Sequence, residues 1–81
     1  MYTLTLEADF KKFKIQFGQN VKRLRLSNKY TQDELAVASE LADGKFISRI
    51  ESGEKDIQLL TIFKLAKGLN VAPKILLDFE I

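Results

Sequence analysis

Basic side chains are concentrated in one part of the 81-residue chain, and acidic side chains in the part that follows. Between residues 31 and 43 there are four acids and no base, and the net charge of the whole chain is only +2. A protein that meets phosphate needs a basic face rather than a basic average. Taken alone, a basic run is better explained as the solvated face of a helix. The run holds seven bases and no acid: Lys11, Lys12, Lys14, Lys22, Arg23, Arg25 and Lys29.

The chain lacks the side chains on which most catalytic and metal sites depend. It has no cysteine and no histidine, which removes thiolate chemistry, disulfides, the commonest general base and the commonest metal ligand. It also has no glycine loop of the kind that cradles phosphate. We therefore expect no enzymatic activity, no cofactor and no metal. Residues 1–10 do not resemble a signal peptide and no apolar run has membrane-spanning length, so we expect a cytoplasmic protein.

The length suits a single domain, and apolar spacing predicts that it is all-helical. Asp9 is expected to cap a first helix that runs to about Ser27, and Gly18 within it to let another helix approach closely. The apolar stripe of this helix is Phe10, Phe13, Phe17, Val21 and Leu24. Four shorter helices are predicted at Thr31–Ser39, Gly44–Ser52, Gln58–Leu69 and Pro73 to about Asp78. The residues expected to begin these helices are Thr31 with Glu34, Asp43 and Pro73, and those expected to end them are Gly53 and Asn70.

The first residues carry a different pattern. Tyr2, Leu4 and Leu6 alternate with polar residues, which predicts a short strand between Met1 and Glu7. A single strand needs a partner, so it either pairs with its copy in a dimer or stays loose. Residues 1–8 are accordingly expected to be an N-terminal extension, and residues 9–81 the folded domain with a C-terminal dimerisation segment.

Four segments in order resemble the Cro/C1-type helix-turn-helix family, also called the xenobiotic-response-element family. They are VKRLR at 21–25, TQDELA at 31–36, ISRIESG at 47–53 and IFKLAKGLNV at 62–71. The resemblance implies a five-helix, lambda-repressor-like domain that binds double-stranded DNA as a homodimer and regulates transcription, without a small-molecule ligand. Similar free-standing domains include restriction–modification controllers, phage repressors and antitoxins. The rival function is a protein-interaction module on the same fold, coactivator-like or antitoxin-like.

The resemblance also implies site residues. The helix after the turn would enter the major groove and read bases through Lys45, Phe46, Ser48 and Arg49. Phe46 would either touch a thymine methyl or pack into the domain, and Arg49 would either read a base or pair with Glu51 or another acid. Glu51 itself is expected to be structural. Expected phosphate contacts are Gln32, Lys22, Arg23, Ser52 and Lys55, although Gln32 could instead only complete its helix start.

Two departures from the family pattern bear on this site. One additional residue lies between Ser39 and Ile47, so the turn before the third helix is altered. Gly44 stands where many members carry a base-reading side chain. Specificity would then depend on Lys45 and Arg49 or on DNA shape.

The C-terminal part of the chain has more apolar residues than one small core needs. Members of the family that this chain resembles usually carry a polar residue at the position of Leu60. The C-terminal tail adds further apolar residues. An exposed apolar cluster on a small domain usually marks a partner surface, so we expect a two-fold homodimer there. The expected interface residues are Leu60, Leu76, Phe79 and Ile81. The alternative is that Phe79 and Ile81 fold back over their own core.

Overall fold

The structure, a computed structural model, describes residues 2–80, with side chains from Thr5 onward. Its elements are α1 (Tyr2–Ser27), α2 (Gln32–Ala38), α3 (Gly44–Glu51), α4 (Leu59–Leu69) and α5 (Pro73–Leu76). Residues 2–80 contain no strand, and the predicted five-helix, all-α class is confirmed. Within the same residues no helix is both long enough and apolar enough to cross a membrane.

The predicted N-terminal strand is wrong, because the helix already begins at Tyr2. Asp9 therefore lies inside α1 and does not cap it. Leu6 precedes Phe10 by four residues, so the same apolar residues also fit the helical period. A lone strand would leave its backbone N–H and C=O groups without partners in this chain, whereas a helix pairs them internally.

The core forms where all five helices meet. Its fully buried large side chains come from every helix: Val21, Leu35, Ile47, Ile50, Leu65, Leu69 and Leu76. The close approach predicted at Gly18 is confirmed, since a Cβ atom there would lie 2.6 Å from the Glu51 carbonyl oxygen of α3. The absence of a side chain at this point lets α3 lie directly against α1.

Backbone hydrogen bonds of the same type end the first four helices. In each, a residue with positive φ lies at the helix end, and its N–H group and that of the next residue donate to carbonyls of the last turn, as in a Schellman motif. At the end of α2, for example, Glu40 N–H donates to Val37 O at 3.2 Å and Leu41 N–H to Ala36 O at 2.9 Å. Among residues 2–80 the positive-φ residues are Lys29, Glu40, Gly53 and Asn70, so only one of these four is glycine.

The C-terminal segment serves the core of its own chain. Leu76 is 0% exposed, so its prediction as a dimer-interface residue is wrong. The physical reason is that α5 packs against both α4 and α1, and Leu76 fills the space between them. Phe79 is half-buried, with its ring centroid 5.3 Å from that of Phe13, which is the fold-back alternative. Ile81 lies outside the described residues.

Candidate nucleic-acid interface

Two capped helices, α2 and α3, carry the predicted site. Thr31 accepts from the Glu34 N–H at 3.0 Å, while its own N–H donates to the Glu34 carboxylate at 2.8 Å, which confirms the capping box. Asp43 accepts from the Phe46 N–H at 2.9 Å, as predicted for the start of α3. These local bonds fix where each helix begins.

The face of α3 opposite the core is polar and exposed. Ile47 and Ile50 are buried against the other helices. Lys45, Ser48 and Arg49 are exposed at spacings of three and four residues, so they share one side of the helix. This is the arrangement by which an α-helix can present side chains to a groove.

Phe46 lies apart from that exposed face. Its ring is half-buried and packs against the core, and the Lys55 ammonium is 5.0 Å from the ring centroid. Two possibilities were given for Phe46, contact with a thymine methyl or packing into the domain, and in the structure Phe46 packs into the domain. Lys55 keeps a positive charge at the edge of α3, held partly by this cation–π contact.

Gly44, at the start of α3, lies beneath a side chain of α2. A Cβ atom at this position would collide with the Asp33 carboxylate, whose Cγ would be 3.0 Å away. Glycine thus lets Asp33 lie over the first turn of α3. The space that a base-reading side chain would occupy at position 44 is taken by this carboxylate.

A buried ion pair joins α1 to the end of α3. Arg25 donates to both carboxylate oxygens of Glu51, from Nε at 2.7 Å and Nη2 at 3.1 Å, and both side chains are almost fully buried. Gln32 Nε2 donates to the same carboxylate at 3.1 Å, and Arg25 Nη1 donates to the Tyr30 carbonyl at 2.9 Å. These bonds tie α1, the start of α2 and α3 into one rigid unit. The structural role predicted for Glu51 is confirmed.

From the sequence, Arg25 was predicted only to be one base of the basic run. A signal for its role was present, since Arg25 follows Gly18 by seven residues, about two helical turns, and so lies on the same side of α1. A buried carboxylate at Glu51 also requires a cation. Because Arg25 satisfies Glu51, Arg49 does not pair with it, and no ion pair among the described residues involves Arg49.

The remaining predicted phosphate contacts lie in different places. Lys22 is exposed one turn after Gly18, on the side of α1 near α3. Ser52 Oγ lies 3.1 Å from the Arg49 carbonyl and 2.7 Å from the Glu54 carboxylate, and donates to one of them at a time.

Arg23 points in a different direction, because its position on α1 is turned about 140° from that of Gly18. It donates to Asn20 at 2.7 Å, and Asn20 in turn binds the carbonyls of α5, so Arg23 lies away from α3.

Two short helices joined by a turn, with basic and hydroxyl side chains exposed on the second, define a DNA-binding regulator of the helix-turn-helix class. A family model described as "Helix-turn-helix" matches residues 21–76. This range is more than half of the chain, and the chain belongs to the helix-turn-helix family.

Relatives of this chain include two control proteins. Control protein C.BamHI of Bacillus amyloliquefaciens is 42% identical over 67 residues, which is 82% of each chain. Control protein C.MunI of Mycoplasma sp is 31% identical over 58 residues, 72% of this chain and 78% of that one. Among solved structures, the restriction-modification controller protein C.AhdI from Aeromonas hydrophila matches with a TM-score of 0.80 and 32% identity, covering 84% of this chain and 97% of that chain. Fold, family and relatives agree on a DNA-binding transcriptional regulator.

Proposed function

We propose that this regulator is a restriction–modification controller that binds operator DNA as a homodimer, with α3 of each protomer in the major groove. The observation that carries the proposal is the exposed face of α3, where Lys45, Ser48 and Arg49 lie together on a helix held by the buried Arg25–Glu51 pair. A reading helix must be rigid, because a shift of its side chains relative to the base edges would lose the hydrogen bonds that discriminate sequence.

In this proposal Arg49 and Lys45 donate to guanine O6 and N7, and Ser48 adds a less selective hydrogen bond. Both basic side chains are exposed and neither takes part in an ion pair among the described residues. Their charges are therefore free to act on DNA. Phe46 is assigned to packing rather than to base contact.

Phosphate contacts are assigned to exposed and half-buried bases and polar groups around α3. Lys22 lies on the near side of α1, and Lys55 and Ser52 follow α3 in the chain. Gln32 stands at the start of α2 with its amide already bound to Glu51, so it supports α3, and only those first N–H groups of α2 that the capping box does not use are left to meet an anion. Arg23 is left out of this set because it faces α5.

The dimer surface is assigned to an apolar cluster on α4, which we call the α4 patch. It consists of Leu59, Leu60 and Phe63, whose side chains are 83%, 58% and 55% exposed. Exposed apolar clusters on small domains usually mark partner surfaces. Such a dimer has to present its two α3 helices to half-sites about 34 Å apart, one turn of DNA.

We also assign this chain no enzymatic activity, no cofactor and a cytoplasmic location beside its DNA target.

Selection of binding sites from random DNA tests the proposed function. Affinities are then measured for the selected duplex and for a scrambled duplex at low and high salt. We expect a two-fold symmetric site that lies near restriction–modification genes, tight selective binding, and loss of selectivity in Lys45→Ala with Arg49→Ala. The matched control is Lys67→Ala with Lys74→Ala, two exposed lysines on α4 and α5. Failure to enrich any site would favour a protein-interaction module instead.

A further inference from the structure

The first helix extends well beyond the rest of the domain. α1 has 26 residues, about 39 Å of helix, and the molecule measures 42 × 22 × 20 Å. Every residue from Thr5 to Lys12 is exposed. We call residues 2–12 the overhang; they precede the residues 21–76 that match the family.

One apolar stripe runs along the whole helix and is covered over only part of its length. Leu6, Phe10, Phe13 and Phe17 follow one another at steps of four, three and four residues, so they lie on the same face. Exposure falls along this series from 70% at Leu6 to 45% at Phe10 and 3% at Phe17. The apolar face of α1 is therefore buried in the core at Phe17 and exposed to solvent toward the N-terminal end of the helix.

The uncovered end of the stripe is continuous with the α4 patch. Phe10 and Phe13 form one wall of an apolar groove whose other wall is Ile62 and Leu77. Ile62 also lines the neighbouring groove, which is formed by the α4 patch and Pro73. The two grooves make one apolar surface that bends from α1 onto α4.

Lys14, just after the overhang, contacts both the overhang and the loop before α4. Its ammonium binds the Asp56 carboxylate at 2.9 Å and lies 4.8 Å from the Phe10 ring centroid. Asp56 belongs to the loop before α4, so this contact links the root of the overhang to the helix that carries the α4 patch.

We propose that the overhang packs against the α4 patch of a second copy of this chain, so that each protomer covers the partner's patch with its own α1. The inference rests on the homodimer of the proposed function. The α4 patch has three side chains, whereas a specific interface takes about 20–30 residues and roughly 800 Å² from each partner. A two-fold interface is self-complementary, so one overhang–patch contact occurs twice and adds its area twice.

The first test replaces the exposed stripe. Leu6→Glu with Phe10→Glu places charge on the face that would be buried in the dimer, and both residues are exposed within their own chain. We expect the dimer dissociation constant from sedimentation equilibrium to rise at least tenfold. Ala8→Glu with Lys12→Gln is the matched control, because it changes the net charge by the same two units on the opposite face of the same overhang, and it should leave the constant within about twofold.

The second test detects the contact directly, using the absence of native cysteine. Protomers carrying Leu6→Cys are mixed with protomers carrying Leu59→Cys and treated with a short bis-maleimide. We expect a cross-linked heterodimer to dominate over the two homodimers. Helical content from circular dichroism, unchanged in every variant, shows that the fold is intact.

The outcomes separate this inference from the proposed function. If Leu60→Glu disrupts the dimer but the overhang variants and their control all match the wild type, the overhang inference is overturned and the homodimer stands. Absence of the heterodimeric cross-link also overturns it. If the wild-type chain is a monomer at micromolar concentration, the homodimer and the overhang contact fail together.

Discussion

Arg49 and Glu51 are two residues apart in sequence, but α3 turns them to opposite sides. Glu51 points into the domain and is neutralised by Arg25, while Arg49 is exposed. A carboxylate exposed beside Arg49 would repel phosphate, so burying Glu51 keeps this face of α3 basic. The charge of a residue thus says less about its role than the side of the helix on which it lies.

At Arg49 we predict loss of base discrimination. Arg49→Ala should weaken binding to the selected operator by about 1–3 kcal/mol and relax preference at one base pair, because a bidentate contact to guanine is removed. Competition binding with single-base-pair variants of the operator measures this. Lys74→Ala, which removes one exposed positive charge from α5, is the control. An unchanged ratio of specific to nonspecific affinity in Arg49→Ala would show that Arg49 does not read a base.

At Glu51 we predict loss of stability. Glu51→Ala leaves the Arg25 guanidinium buried without its carboxylate and removes the partner of Gln32, so the free energy of unfolding should fall by about 3–5 kcal/mol. Urea denaturation followed by circular dichroism gives the change. Glu7→Ala, an exposed acid on α1, should change it by less than about 0.5 kcal/mol. Equal stability of the two variants would contradict the structural role of Glu51.

Helix ends were predictable because they depend on residues near each other in sequence. Thr31, Asp43, Gly53, Asn70 and Pro73 all lie at the helix ends for which they were predicted. The strand at the N-terminus was wrong because six residues of alternating polarity are too few to separate a period of two from one of 3.6.

Apart from the close approach at Gly18, contacts between distant elements were not predicted from the sequence pattern. The burial of Leu76, the Arg25–Glu51 pair and the placement of Asp33 over Gly44 each join residues at least 11 positions apart. Periodicity places a residue on a face of its helix but does not say which other helix that face meets. The exposed face of α3 could be predicted, and what lies around it could not.

The turn between α2 and α3 offers a prediction about backbone strain. Glu40 has φ 53°, a left-handed conformation that costs roughly 1–2 kcal/mol for a residue with a Cβ atom. Glu40→Gly should therefore raise the free energy of unfolding by about 0.5–1 kcal/mol, after allowing for the greater freedom of glycine in the unfolded chain. Ala42→Gly, in the same turn but without positive φ, should lower it. Thermal denaturation of both variants measures the difference, and a destabilised Glu40→Gly would contradict it.

Two basic residues that are adjacent in the sequence, Lys22 and Arg23, face different neighbours on the first helix. Lys22 lies on the α3 side of α1 and Arg23 on the α5 side. Lys22→Ala should weaken binding to all DNA sequences alike and lower the slope of log affinity against log salt by about one unit. Arg23→Ala should leave the slope unchanged. Titrations at several salt concentrations measure both, and equal slopes in the two variants would show that helix direction does not select the phosphate contact.

At the scale of the whole molecule, the shape of the domain favours pairing. An 81-residue chain has a small core, and here α4 and the overhang of α1 expose large apolar side chains that this core does not cover. One α3 reaches only a few base pairs, so a single domain offers little specificity. Pairing would bury apolar surface and double the base contacts, so dimer formation and operator recognition should be coupled.

That coupling gives the last prediction. Leu60 is 58% exposed on α4, and Leu60→Glu places a charge in the proposed interface without disturbing the core. We expect this variant to sediment as a monomer at micromolar concentration and to lose operator affinity by at least a hundredfold, while its weak binding to a single half-site persists, because α3 itself is unchanged. Leu26→Glu, which replaces a leucine of similar exposure at the end of α1, should remain dimeric. A monomeric Leu60→Glu that keeps wild-type operator affinity would show that recognition does not need the dimer, and a dimeric Leu60→Glu would place the two-fold contact elsewhere.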